Sequence, residues 1–216
     1  MPPAWLPAAV LAVVGAAFTL LTGRVARGIG RSPNRFGAGD TAHDFVGQVY
    51  RVGGAVLFVF LVVRSIWPET DTALGRISLL AHPATAWLGL GTMILGGGLI
   101  IAAQVAMGTS WRIGLDRERT GLVTTGLFAL SRNPTFLGMM AAVLGTFLVA
   151  PTVVTGMVLA AAWIAFSIQI CMEEEHLHCM HGPAYEAYRA VVPRWIGLSG
   201  GRTEEHAGHG DPVNHG

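Results

Sequence analysis

Charge is what this sequence has least of. Of its 216 residues only 12% are Asp, Glu, Lys or Arg, about half the share carried by an ordinary soluble domain of roughly 25%. Lysine is missing altogether, so that all 14 basic residues are arginines; with the abundant Gly, Ala and Val this bias points to a GC-rich, bacterial coding sequence. The two cysteines, Cys171 and Cys179, are too few for a disulfide framework. A formal net charge of +1 provides no field of one sign, which excludes nucleic acid as a main partner.

The charges that do occur leave long gaps. None falls between Met1 and Gly23, between Ile77 and Trp111, or between Asn133 and Met172. A bilayer core of roughly 30 Å takes about 20 apolar residues in a helix, so each gap is long enough to span. A water-soluble fold is thereby ruled out, and the expected architecture is an all-α integral membrane protein of about five spans.

Residues 4–22 form the first expected span. It lacks a basic segment before it, and Arg24, Arg27, Arg31 and Arg35 follow it, so it reads as an anchor rather than a cleaved leader. Residues 23–47 read as a Gly- and Arg-rich loop with a short interfacial helix. The second span is expected at 50–67, with Arg51 and Arg64 snorkelling from its ends. The third, at 83–108, carries Gly89, Gly91 and Gly96–Gly98, a small-residue face for a close helix neighbour. The gap from Asn133 to Met172 holds 40 residues, about 60 Å of helix and twice the bilayer core, with Pro151 near its middle. It is expected to fold as a hairpin of two spans, 134–150 and 152–172. Residues 1–200 then make a single membrane domain, and 201–216, rich in Gly, His and acid, a flexible tail.

Arginine placement orients this bundle. With the N-terminus outside, 12 of the 14 arginines face the cytoplasm and only Arg64 and Arg76 face away, as the positive-inside rule requires. The expected location is a bacterial inner membrane with a cytoplasmic C-terminus.

An antiparallel hairpin returns its two ends to one membrane edge, so Arg132 before it meets Glu173 and Glu174 after it. Asn133-Pro134 is also a helix-start signature, in which Asn caps and Pro tolerates the first position. Free N–H groups and a basic side chain there suit a carboxylate or phosphate, while the two acids suit hydroxyls or an ammonium group. Such a site fits a zwitterionic ligand. An interfacial ion pair that merely closes the hairpin fits the same spacing equally well.

The run from Leu122 through Val123, Thr124, Gly126 and Arg132-Asn133-Pro134 to Phe136 and Gly138 resembles the cofactor motif of the isoprenylcysteine carboxyl methyltransferase family and its phospholipid methyltransferase relatives. After the hairpin, Glu173-Glu174 with Leu177, then His181-Gly182, Tyr185, Tyr188 and Val192-Pro193, is similar to that family's second motif. The resemblance covers about residues 122–195. It implies an integral-membrane methyltransferase that uses S-adenosylmethionine, with the cofactor-binding half at 109–197 and a C-terminal cytoplasmic helical cap over the pocket. By the same resemblance Leu122, Val123, Gly126, Arg132, Asn133, Pro134, Phe136, Gly138, Glu173, Glu174, Tyr185 and Tyr188 line the cofactor, with Arg132 and Glu174 as the catalytic pair. The sequence departs from the family at Asn133, where His is usual, and at Phe136, where Tyr is usual. Ser110 to Asp116 resembles a feature of bacterial members.

The implied acceptor is a lipophilic small molecule or lipid that arrives from the bilayer and presents a carboxyl, thiol or lipid group, with Arg112 or Arg119 steering an anionic one. His176, His178, Cys179 and His181 lack the spacing of a metal site with two half-sites and read as solvated, so no metal is expected. A sterol-type reductase using NADPH and a non-catalytic accessory protein on the same fold remain open beside the methyltransferase.

Overall fold

A computed structural model describes residues 1–30, 42–111 and 121–196. The interfacial helix expected before residue 42, Arg112 and Arg119, the segment from Arg112 to Asp116 and the tail lie outside the described residues. Within them the chain is helical: α1 (Leu6–Ile29), α2 (Ala42–Ile66), the short α3 (Thr70–Ala73), α4 (Pro83–Met107), α5 (Pro134–Val149), α6 (Val153–His181) and α7 (Pro183–Val191), with 3-10 turns at Gly108–Ser110 and Gly126–Ala129. Leu6–Gly28, Asp44–Ile66, Pro83–Met107 and Val153–His181 are long and apolar enough to cross a membrane. Helix α5 is equally apolar but has 16 residues, about 24 Å of rise.

Three helices outrun the expected spans. Helix α1 continues to Ile29 rather than ending near residue 22. Helix α2 starts at Ala42 rather than near residue 50, and α6 runs on to His181 rather than ending near residue 172. Charge ends a membrane span but not a helix, because backbone hydrogen bonding is satisfied within the helix wherever it emerges. Arg51 accordingly lies back along α2, its Nε donating to Gly47 O at 3.4 Å.

Local chemistry sets the ends. His82 accepts from the Ala84 N–H and Pro83 occupies the first position of α4. Thr152 and Thr155 form a reciprocal capping box that starts α6. Gly182, at φ 51°, stops α6, and Pro183 starts α7 at once. The tip between α5 and α6 is clamped by the segment that follows α3: Ile77 N–H donates to Pro151 O at 2.8 Å and Val153 N–H to Gly75 O at 3.0 Å. Arg64, expected to snorkel, instead pairs with Asp71 at 2.8 Å and reaches Val149 O at 3.4 Å.

The tightest packing is between α4 and α5. A Cβ on Gly89 would lie 2.7 Å from Gly145 O, and one on Gly145 would lie 2.6 Å from Gly89 O. Gly96 and Gly138 repeat the relation at 2.6 and 2.7 Å. These two rungs are seven residues apart on each helix, two turns, so they lie on one face and let the backbones touch. Gly91 and Gly98 face open space. Ala8, Leu61, Leu90, Met93 and Val149 build the core beside the Gly89 rung, and this rigid pair holds the start of α5 against the end of α6.

Candidate functional site

Glu174 is the centre of the polar end of the bundle. Its side chain is 9% exposed, and both carboxylate oxygens accept from guanidinium groups. Arg132 donates to Oε1 from Nη2 at 2.9 Å and from Nε at 3.2 Å. Arg194 donates to Oε2 from Nη2 at 2.7 Å and to Oε1 from Nε at 3.1 Å. Two cations on one carboxylate leave a net positive cluster, and this contact with Glu174 raises the Arg194 pKa further. A buried carboxylate is tolerated only when paired in this way.

Arg132 has further work. Its Nη1 donates to Arg189 O at 3.0 Å and to Val192 O at 2.9 Å, carbonyls left open by the end of α7. Its backbone N–H meets Pro193 O at 3.0 Å. One side chain thus ties the start of α5, the end of α6 and the end of α7. Pro193 cannot continue a helix, so the chain turns back there and delivers Arg194 to Glu174.

Asn133 stands at the N-cap of α5, but contrary to the signature its side chain makes no cap hydrogen bond. Its amide instead donates to Arg194 O at 3.1 Å and to Glu174 Oε1 at 3.5 Å, while its N–H is taken by Ser131 Oγ at 3.1 Å. One of these acceptors lies in the turn after α7 and the other on α6, both beyond the reach of a local rule. The first intrahelical bond runs from Leu137 N–H to Asn133 O, so the N–H groups of Thr135 and Phe136 face out of the helix start.

Helix α7 lies over this end. Tyr185, Tyr188 and Val192 are buried against Leu122 and Leu177. Tyr188 donates to Phe128 O at 2.6 Å, in the 3-10 turn that Gly126 opens at φ 63°. Tyr185 is 1% exposed, and its buried hydroxyl has no hydrogen-bond partner among the described residues. Burial chiefly, with the charge of Glu174, pushes the Tyr185 pKa up to about 12, and burial and Tyr185 push Tyr188 likewise to about 12. Both phenols therefore stay neutral donors at any ordinary pH.

Of the residues named from the sequence, Arg132, Asn133 and Glu174 share one hydrogen-bonded cluster, with Leu122, Tyr185 and Tyr188 in the layer above it. Pro134 is fully buried at the start of α5, and Val123 is half-buried beside Leu122. Phe136 packs with Tyr50 and Phe166 at centroid distances of 6.5 and 5.8 Å. Gly138 is not drawn into the cluster, since it forms the second rung against α4. Glu173 also parts from Glu174: successive helical residues diverge by about 100°, and Glu173 accepts from Gln169 Nε2 at 2.9 Å. Arg194, Ser131 and Gln169 were not read from the sequence. The one available signal was Arg194 itself, a cation directly after the Val192-Pro193 pair.

The fold and this cluster define a class, a polytopic helical membrane protein with a buried carboxylate held between two guanidinium groups under a short covering helix. Residues 84–184 match the phospholipid methyltransferase family. The chain is similar to the protein-S-isoprenylcysteine O-methyltransferase of Schizosaccharomyces pombe, 34% identical over 113 residues that are 50% of this chain and 48% of that protein. It also resembles a solved structure of the eukaryotic intramembrane Ras methyltransferase, isoprenylcysteine carboxyl methyltransferase, with a TM-score of 0.52 and 25% identity, over 69% of this chain and 52% of that one. The chain thus spans about half the length of the relatives it matches. Over these residues it is similar to the isoprenylcysteine carboxyl methyltransferase and phospholipid methyltransferase family.

Proposed function

We propose that this protein is an S-adenosylmethionine-dependent methyltransferase of the membrane that acts on a lipophilic acceptor. The observation that carries the proposal is the buried Tyr185 hydroxyl, unpartnered among the described residues, set above the ionic cluster and one residue past the family's matched segment. An orphan donor of that kind costs about 1–3 kcal/mol unless a ligand accepts from it. The remaining groups suit the same molecule. The N–H groups of Thr135 and Phe136, and Arg194 with its side chain 44% exposed, match a carboxylate, and the acid of Glu173 matches an ammonium or ribose hydroxyls.

S-adenosylmethionine supplies a methyl group already activated on a sulfonium. The protein has only to orient it toward a nucleophile and exclude water, work that proximity and matched charge accomplish without an acid–base relay. Arg132 and Glu174, the catalytic pair of the sequence motif, have their polar atoms spent on each other and on α7. Their role in this proposal is to hold α7 closed over the ligand. Tyr188 does the same from its bond to Phe128 O. The proposal includes a cytoplasmic C-terminus, a bacterial inner membrane and a single membrane domain over 1–200, supported by the arginine asymmetry.

Titration of S-adenosylmethionine and NADPH into protein in lipid nanodiscs tests this. Saturable binding of the first is expected. Tyr185→Phe should weaken it about tenfold, since one hydrogen bond is lost, while the thermal midpoint holds or rises because an unsatisfied buried group is removed. Binding of NADPH alone would identify a reductase, and binding of neither a non-catalytic protein.

A further inference from the structure

The chain that leaves α7 turns back toward the membrane. Trp195 packs against Phe136 of α5 and against Phe166 and Ile170 of α6, and its indole stacks on that of Trp163, ring centroids 5.2 Å apart and planes 19° from parallel. Ile170, Phe166 and Trp163 lie about one, two and three turns from Glu174 along α6, away from its charged end. Trp163 is also at the middle of the uncharged part of α6, residues 153–172. It is half-exposed, beside the face that Met157, Ile164 and Ile168 turn outward. The Trp195 ring is therefore level with apolar residues of the span, at the outward rim of the bundle. Ile196 follows it, 71% exposed.

The backbone of this strap suits a dry setting. Val192 O accepts from Arg132 Nη1 at 2.9 Å, Pro193 O from the Arg132 N–H at 3.0 Å, and Arg194 O from Asn133 Nδ2 at 3.1 Å and Ser131 Oγ at 3.3 Å. Pro193 has no N–H to satisfy. Water would satisfy such carbonyls unaided, whereas at membrane depth non-helical backbone persists only where protein groups do so. Three consecutive carbonyls closed by residues 131–133 meet that second condition. The Arg194 side chain runs the other way, to Glu174, as a guanidinium does when its backbone lies at the membrane edge.

We propose that Trp195 and Ile196 insert into the headgroup–hydrocarbon boundary of the bilayer, and that this anchor, acting through Arg194, holds α7 shut over the ligand site. An indole suits that boundary, its apolar ring inward and its N–H toward the headgroups. Ile196 then meets acyl chains rather than water. Arg194 is a positioning residue in this scheme: its side chain holds Glu174 and its carbonyl holds the start of α5, while lipid fixes its neighbour. The anchor stands on the packing alone, and its use rests on the methyltransferase reading.

Nitroxide labels on the full chain in lipid nanodiscs test the depth, with Cys171 and Cys179, both exposed, replaced by Ser. A label at Ile196→Cys should relax faster with oxygen than with a water-soluble nickel chelate, like one at Ile168→Cys on the outward face of α6. A label at Ala187→Cys, exposed on α7, should show the reverse. Preference for the chelate at position 196 would overturn the proposal. Ile196→Asn tests the coupling, because a side chain so exposed has little packing to lose. It should raise the mobility of the label at position 187 and weaken S-adenosylmethionine binding about tenfold, as when α7 is shut in about a tenth of molecules; Ile196→Leu should do neither. A 187 label unmoved by both Ile196→Asn and Trp195→Ala would refute the coupling. A 187 label that loosens in a protein that binds no S-adenosylmethionine even unaltered would leave the anchor standing and remove the methyltransferase reading instead.

Discussion

Alanine at the glycines of α4 makes a sharp test of the packing described above, because neighbouring positions on one helix should respond with opposite signs. In Gly96→Ala the new Cβ lies 2.6 Å from Gly138 O and 2.8 Å from Ala142 N, both backbone atoms that no rotamer change can move. Restoring an ordinary contact of 3.4 Å requires α4 and α5 to part by about 0.8 Å at that rung (3.4 less 2.6). Packed interiors give up a quarter to a half of their dispersion energy over a gap of that size, and overpacking typically costs about 1–3 kcal/mol. The backbone itself gains about 0.5–1 kcal/mol from Ala over Gly in a helix. A net loss of about 1–2 kcal/mol is expected for Gly96→Ala, and the same for Gly89, Gly138 and Gly145. For Gly91→Ala and Gly98→Ala only the backbone gain remains, since nothing lies within 4 Å. Thermal or SDS unfolding in mixed micelles measures the series. Pairing Gly89→Ala with Gly145→Ala, one rung, should cost less than the sum of the singles, whereas Gly89→Ala with Gly96→Ala should add more nearly fully. If Gly91→Ala destabilises as much as Gly96→Ala, the two-rung contact is wrong.

Other perturbations address the ionic cluster and its cover. Glu174→Gln should cost about 3–5 kcal/mol, because Arg132, with its side chain 10% exposed, is left as an uncompensated buried charge; Arg194→Gln should cost under about 1 kcal/mol, since its 44% exposure lets water screen the pair. Near-equal effects in chemical unfolding would show that both arginines share one environment. Tyr185 and Tyr188 carry pKa values raised from an ordinary 10 to about 12, so the folded state keeps protons that the unfolded state releases. Their contribution is fully present below pH 10 and is lost as pH rises toward 12. Unfolding midpoints at stepped pH should fall across that window, and the Tyr185→Phe, Tyr188→Phe double variant should flatten the fall; an unchanged slope would count against their burial.

Much of this was legible in one dimension. Gaps in charge located the apolar helices, since a bilayer admits backbone only when it is internally bonded. The hairpin between Arg132 and Glu174 followed from length alone, as 40 uncharged residues are too long for one crossing. Its closing pair followed from the return of an antiparallel chain to its own starting edge. Asn133 shows where local rules fail: its capping preference is worth about 1 kcal/mol, and a charged acceptor and a carbonyl from the turn after α7 outbid it. Gly138 shows the same in packing. Within the motif it looks like a residue for close approach to a ligand, but what approaches it is Gly96 of α4.

What the sequence determined by itself is the membrane class, the helical content and the meeting of Arg132 with Glu174, because each depends on hydrophobic length and chain reversal, which are properties of a single segment. Tertiary structure decided the rest. Which of the α4 glycines touch α5, that Arg194 shares the carboxylate, that Glu173 turns away toward Gln169, and that the Tyr185 hydroxyl is buried without a partner among the described residues all depend on how helices rotate about their axes. Rotation is set by contacts between segments far apart in the chain, and no periodicity within one segment records it.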